Sequence, residues 1–185
     1  MRSLLLLVAL AASAAPALAQ DVSTPERAAA KEQLMRTQSS FDVVVRAPYA
    51  ETAPLFGPEG ERAWAGKHWD PHFIHPLPAH DEEDAVFTIQ HGPFNAVWVT
   101  ALYDVEGRHF KYVYFLDNLL VTTIDVRFEI IDAASTRARV VYTRTALQPE
   151  GNEHVTAFTS LDKTAGPEWQ RAIDAWLSSR PVAAP

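Results

Sequence analysis

The sequence predicts an α+β domain in which a curved antiparallel sheet of six to seven strands wraps round a C-terminal helix. Two changes of hydrophobic period and the composition carry that prediction. Between Ala85 and Leu147 apolar residues recur at every second position, the pattern of strands with one buried face. After Pro149 the period becomes helical, with Trp169, Ile173, Trp176 and Leu177 on a single stripe. The chain has 185 residues, 48% of them apolar, with 13 Pro and 7 Gly, which suits one core that needs no metal or disulfide. A one-sided sheet has to bury its apolar face under another layer, and the terminal helix is the long element that can cover it.

The elements follow in order. Met1 to Ser3 is a short positive start, Leu4 to Ala15 is apolar, and Ala17-Leu18-Ala19 offers the small residues a signal peptidase needs. Residues 1–19 therefore read as an export signal cut after Ala19, giving a periplasmic or secreted product. Twelve apolar residues fall short of the ~20 that cross a bilayer, so no transmembrane segment is expected. Residues 20–39 read as a polar linker or a loose helix, with Thr24 capping and Pro25 at the first helical position. The domain proper is expected over 40–181, with 182–185 as a tail.

Phe41 to Arg46 is a strand that Ala47-Pro48 stops. Pro48 to Ala65 holds two short helical stretches broken at Pro54 and Gly57-Pro58, and residues 66–85 form a loop with one short strand near Phe73 and Ile74. Five strands come next: Val86 to His91, Ala96 to Asp104, His109 to Leu116, Leu120 to Ile131 and Thr136 to Leu147. The fourth is the cleanest, because Leu120, Thr122, Ile124, Val126, Phe128 and Ile130 alternate with polar or β-branched residues. Gly166-Pro167 should interrupt the terminal helix.

Several motifs together resemble one superfamily. These are Gly60-Glu61-Arg62-Ala63-Trp64-Ala65 with Trp69-Asp70-Pro71, then Trp98 to Asp104, then Tyr142 to Leu147 with Glu150-Gly151-Asn152. They look like the SRPBCC superfamily, which includes START domains, the major birch pollen allergen and polyketide cyclase/dehydrase-like proteins. The resemblance covers about Ser40 to Leu177. It implies a helix-grip (START-like) fold with an internal cavity, and it supplies no catalytic residue set. A lipocalin-like barrel or a cystatin-like cone is the structural alternative, and the position of the long helix disfavours both.

Composition excludes several chemistries. With no Cys there is no thiol nucleophile, thiolate metal site or disulfide scaffold. A net charge of −7 argues against a nucleic-acid partner, which needs a basic surface. Nucleophile elbows, phosphate loops and dinucleotide fingerprints are missing from the sequence, and no cofactor is expected. His68, Asp70, His72, His75 and His80 are possible metal ligands by type. Pro71, Pro76 and Pro78 prevent a shared helical face, so no metal site is assigned. Asp81-Glu82-Glu83-Asp84 lacks the spacing of a calcium loop and reads as a solvated turn.

Strand alternation sends Phe87, Ile89 and His91 inward on one strand, and Tyr142 with Arg144 inward on another. An inward Arg is costly unless a ligand anion, a carboxylate or carbonyls pair with it, and the bland reading is that it snorkels to water. Tyr112, Tyr114, Phe128 and Phe158 join these as aromatic surface suited to a ring-containing or amphipathic ligand. The expected function is an exported binding protein holding a small hydrophobic or amphipathic molecule, such as a lipid, isoprenoid, polyketide or aromatic compound. The alternative is a cyclase- or dehydratase-like enzyme with His91 as base and Tyr142 or Arg144 polarising a carbonyl.

Overall fold

The computed structural model describes residues 33–180. The expected export signal, the greater part of the expected linker and the tail 182–185 lie outside them. Strands are β1 (Arg36–Val45), β2 (His72–His75), β3 (Val86–His91), β4 (Phe94–Asp104), β5 (His109–Leu116), β6 (Leu120–Asp132) and β7 (Ser135–Ala146). Helices are α1 (Tyr49–Thr52), α2 (Pro58–Glu61) and α3 (Gly151–Ser179), and a 3₁₀ turn, Ala53–Phe56, joins the first two. All seven strands form one antiparallel sheet in the order β1-β7-β6-β5-β4-β3-β2, with α3 packed chiefly over β1 and β7. This is the α+β helix-and-sheet architecture that the sequence predicts.

The inner face of the sheet is the alternating apolar set. On β6, Leu120, Thr122, Ile124, Val126 and Phe128 are buried, whereas Ile130 near the strand's end is 43% exposed. The register sets Tyr112 opposite Ile124, and Ile124 opposite Tyr142, so three strands deliver one transverse row of side chains. Phe87 lies opposite Trp98 in the same way.

Two expectations require correction. β1 begins at Arg36 rather than Phe41, because residues 36–40 pair with the far end of β7 despite their polar side chains. Backbone pairing at an edge does not demand apolar residues, and Gln170 Oε1 accepts a hydrogen bond from Val44 N–H (2.7 Å) on that edge. The terminal helix is not interrupted, since α3 runs through Pro167. A Pro in a helix interior costs about 3 kcal/mol. Here burial of Val155 and Ile173 on either side, with a close approach of Gly166 to β1, holds one continuous element. A β-carbon at Gly166 would sit 3.2 Å from Phe41 Cβ and 3.3 Å from the Asp42 carbonyl oxygen.

The acidic run is also more than a solvated turn. Asp81 accepts hydrogen bonds from the backbone N–H groups of Glu59 (2.8 Å) and Gly60 (3.3 Å), which satisfies donors in the first turn of α2. Glu83 accepts from Tyr103 N–H at 3.3 Å. Gly57 and Gly60 permit this packing. A β-carbon at Gly57 would collide with the Asp81 carboxylate, and one at Gly60 with the Pro54 carbonyl. The α1–α2 excursion is thereby folded tightly down towards the open end of the sheet.

Candidate functional site

Between the sheet, the excursion and α3 lies a cavity of about 310 Å³. Its floor is the inner face of the sheet: Phe87, Trp98, Tyr112, Ile124, Val126 and Tyr142. Pro58, Glu61, Trp64, Ala65, His68 and Trp69 form a second wall, and Glu168, Trp169 and Ala172 of α3 form a third. Four indoles therefore surround the space. Trp64 and Trp169 meet edge to face at 5.1 Å, as do Trp69 and Trp98 at 5.5 Å.

The polar tips of these rings are unequally committed. Trp64 Nε1–H donates to the Leu55 carbonyl (2.7 Å), and Trp69 Nε1–H donates to the Pro58 carbonyl (2.9 Å). Both rings are thus locked by the chain segment that carries them, leaving ring surface rather than a donor for the cavity. Tyr112 Oη–H donates to the Phe56 carbonyl at 2.8 Å and ties the 3₁₀ turn to β5. Trp98 Nε1–H is buried with no partner among the described residues. The Tyr142 hydroxyl makes no hydrogen bond among them either, and burial pushes its pKa up.

Glu61 is the unusual group. It is 9% exposed, at the end of α2, and its carboxyl has neither a hydrogen bond nor an ionic partner among the described residues. Loss of hydration raises its pKa well above the ordinary carboxylate range, and the like charge of Asp81 raises it further. The same carboxyl is close enough to Tyr112 and Tyr142 to raise their pKa values as well. Among the described residues, no Lys or Arg lines the cavity. An unpaired carboxyl in an aromatic enclosure can donate a hydrogen bond when protonated, accept a proton, or serve as counter-ion to a bound cation.

Of the residues singled out from sequence, Phe87, Tyr112 and Tyr142 line this cavity, and Ile89, His91, Tyr114, Phe128, Arg144 and Phe158 do not. Ile89 is plain core at 1% exposure. Phe128 is core as well, edge to face with Phe56 and Phe110. Tyr114 and His91 stack beside Trp98 one layer further along the sheet, and burial lowers the His91 pKa.

Arg144 is inward and buried, and neither a ligand anion nor water accounts for it. Its guanidinium grips Asp162 of α3, with Nη2 donating to Oδ1 at 3.0 Å and Nη1 to Oδ2, and it lies over the Tyr142 ring at 4.5 Å. Ser39 Oγ–H also donates to Asp162. Phe158 packs against this pair from the helix. The pair of His91 and Arg144 is consequently not assembled around the cavity.

The histidines of the Pro-rich loop scatter. His68 stands at the cavity wall, His72 faces Asp70 (3.3 Å), and His75 and His80 both face Glu82 (3.7 and 3.1 Å). Glu61, Trp64, Ala65, His68 and Trp69 are brought to the cavity by the turns that follow α2, with Gly66 at positive φ, so no helical or strand period marks them in the sequence. Trp98 and Trp169 complete the enclosure from the sheet and from α3.

No protein-family model matches the sequence, and no curated protein matches it. Among solved structures, a truncated norcoclaurine synthase from Thalictrum flavum is similar, with a TM-score of 0.60 at 11% identity over 80% of this chain and 98% of that one. The Zhui aromatase/cyclase from Streptomyces sp. R1128 gives a TM-score of 0.56 at 12% identity, again over 80% and 98%. Ara h 8.0201 gives 0.55 at 11% identity, over 79% of this chain and all of that one. What this chain shares with them is the helix-grip fold.

Proposed function

We propose that this helix-grip protein binds a small ring-containing, amphipathic molecule in the cavity between its sheet and α3. The observation that carries the reading is the enclosure itself: a space of about 310 Å³ walled by four indoles and two phenols, with the buried carboxyl of Glu61 in its wall and the exposed one of Glu168 at its edge. That volume is at the lower end of small-molecule sites, where apolar walls supply affinity at ~25 cal/mol per Å² and a few polar groups fix orientation. A norcoclaurine synthase with this fold has been solved with dopamine and hydroxybenzaldehyde, both single-ring compounds. The test is native mass spectrometry of protein purified from its own host, with extraction of what copurifies, alongside a thermal-shift screen of aromatic and lipid compounds. A copurifying ring compound supports the reading. No bound molecule and no thermal shift sink it.

A second reading is proton transfer of the cyclase or dehydratase type, supported by Glu61, an unpaired carboxyl in the cavity wall whose pKa burial raises well above the ordinary carboxylate range. In that case Glu61 moves the proton and Tyr142 holds the substrate oxygen. Turnover of a bound polyketide-like aldehyde or ketone that Glu61→Gln abolishes is the result that would favour it.

The proposed compartment is the periplasm or the medium, on the strength of the sequence of residues 1–19. N-terminal sequencing of the mature protein should begin at Gln20. A first residue of Met1 would remove the export part of the reading.

A further inference from the structure

Ligands of this fold could be neutral, anionic or cationic, and the walls of the cavity discriminate among them. Among the described residues, two carboxyl groups line it, Glu61 deep and Glu168 exposed at its edge, and no Lys or Arg does. A carboxylate or phosphate ligand would enter with no countercharge, beside an acid that is already poorly hydrated, so free fatty acids and acyl phosphates are disfavoured. A neutral apolar ligand would leave the Glu61 carboxyl unpaired, as it is now. A cation would satisfy it.

The aromatic walls act in the same direction. The face of an indole is the negative part of its quadrupole, and Trp attracts a cation within about 6 Å of the ring more strongly than Tyr or Phe does. Phe87 and Tyr114 stack on Trp98 from the strands on either side, so Trp64, Trp69 and Trp169 are the indoles that bear on a ligand. Because Trp64 and Trp69 spend their N–H groups on Leu55 and Pro58, what remains for a ligand is π surface. On the sheet floor, the Tyr142 hydroxyl, which has no hydrogen-bond partner among the described residues, can meet the ligand's other end.

We infer that the cavity takes a cationic amine, protonated or quaternary, seated among Trp64, Trp69 and Trp169 with ionised Glu61 as its counter-ion. This inference rests on the ligand-binding reading above and narrows its ligand class. Binding is coupled to a proton: burial favours the protonated carboxyl in the empty cavity, the cation favours the carboxylate, and the proton leaves to solvent as the cation enters. The groups bearing on Glu61 are Asp81 from the loop before β3, His68 on its own wall, Tyr112 of β5, Tyr142 of β7 and Glu168 of α3.

The test compares 3-hydroxyphenyltrimethylammonium with its neutral carbon isostere 3-tert-butylphenol and with the anion 3-hydroxybenzenesulfonate, by titration calorimetry on the purified protein. The cation should bind about tenfold or more tightly than the phenol, and the sulfonate most weakly. Repeating the cation titration in buffers of different ionisation enthalpy should reveal proton release. Its affinity should rise with pH through the titration of Glu61, while that of the phenol stays flat.

Glu61→Gln keeps the size of the side chain and should remove the proton release and weaken the cation about tenfold, a larger loss than the phenol suffers. Equal affinities for cation and phenol, or a cation affinity unchanged in Glu61→Gln, overturn the inference while leaving the cavity reading intact. If neither probe binds at millimolar concentration, both fall.

Discussion

Consider removing Asp162 from beneath α3. Its carboxylate receives both Nη groups of Arg144 and the Ser39 hydroxyl, and the two charged side chains are 5% and 8% exposed. Deleting one partner of a buried pair leaves the other charged and poorly hydrated, at a cost of about 3–5 kcal/mol. That is a large share of the ~5–15 kcal/mol by which a domain is stable. Arg144 Nε already lacks a partner among the described residues, so the remaining guanidinium would have little to fall back on. Asp162→Leu and Arg144→Met should therefore each lower the urea midpoint sharply. The double variant, which buries two apolar side chains and no charge, should recover most of the loss. Urea unfolding followed by tryptophan fluorescence gives all four corners of the cycle. An Asp162→Leu cost below about 1 kcal/mol, or a double variant no more stable than Asp162→Leu, would refute the reasoning.

Further expectations follow from the cavity and its roof. Since the folded-state pKa of Glu61 is raised above its unfolded value, the unfolded chain loses this proton first as pH rises. The contribution is therefore fully present below the ordinary carboxylate range and is lost from there up through the raised folded pKa. Glu61→Gln escapes that loss, so the variant should become progressively more stable than wild type across an ascending pH series of urea midpoints. A constant gap would show that folding does not shift this carboxyl, and a gap that moves the other way that it is paired. Gly60→Ala forces a β-carbon onto the Pro54 carbonyl and should cost about 1–3 kcal/mol in the same assay, with loss of 3-tert-butylphenol binding. Tyr112→Phe leaves the Phe56 carbonyl without its donor and should cost about 1–3 kcal/mol, read as a lower thermal midpoint.

The strands were legible because a one-sided sheet writes its burial into every second residue, and β3 and β5 begin and end where alternation does. The continuity of α3 was not, because a Gly-Pro pair reports only local preference, and contacts to β1 decide whether the helix survives it. Arg144 shows the limit differently. Alternation put it inward, but its partner lies eighteen residues on, in another element, and no period in the sequence connects the two. Glu61 was passed over since an acid between Gly60 and Arg62 reads as solvated. Its burial depends on Tyr112, Trp64 and Trp69 closing round it through the turns after α2, which no period in the sequence announces.

Twelve consecutive residues, Pro58 to Trp69, supply six of the fifteen side chains round the cavity, including the deep carboxyl and two of the four indoles. Asp81 holds the segment by the Glu59 and Gly60 N–H groups, while Trp64 reaches out to the Leu55 carbonyl and the Trp169 ring, and Trp69 to the Trp98 ring. One short stretch of chain thus carries much of the wall, and its two indoles double as its anchors to α3 and the sheet. Exchanging residues 61, 65 and 68 leaves those anchors in place and alters the surface that a bound molecule would meet. Transplanting the segment onto another helix-grip scaffold that retains the equivalents of Gly57, Gly60, Asp81, Trp98 and Trp169 is then a direct measure of how far it sets the properties of the cavity.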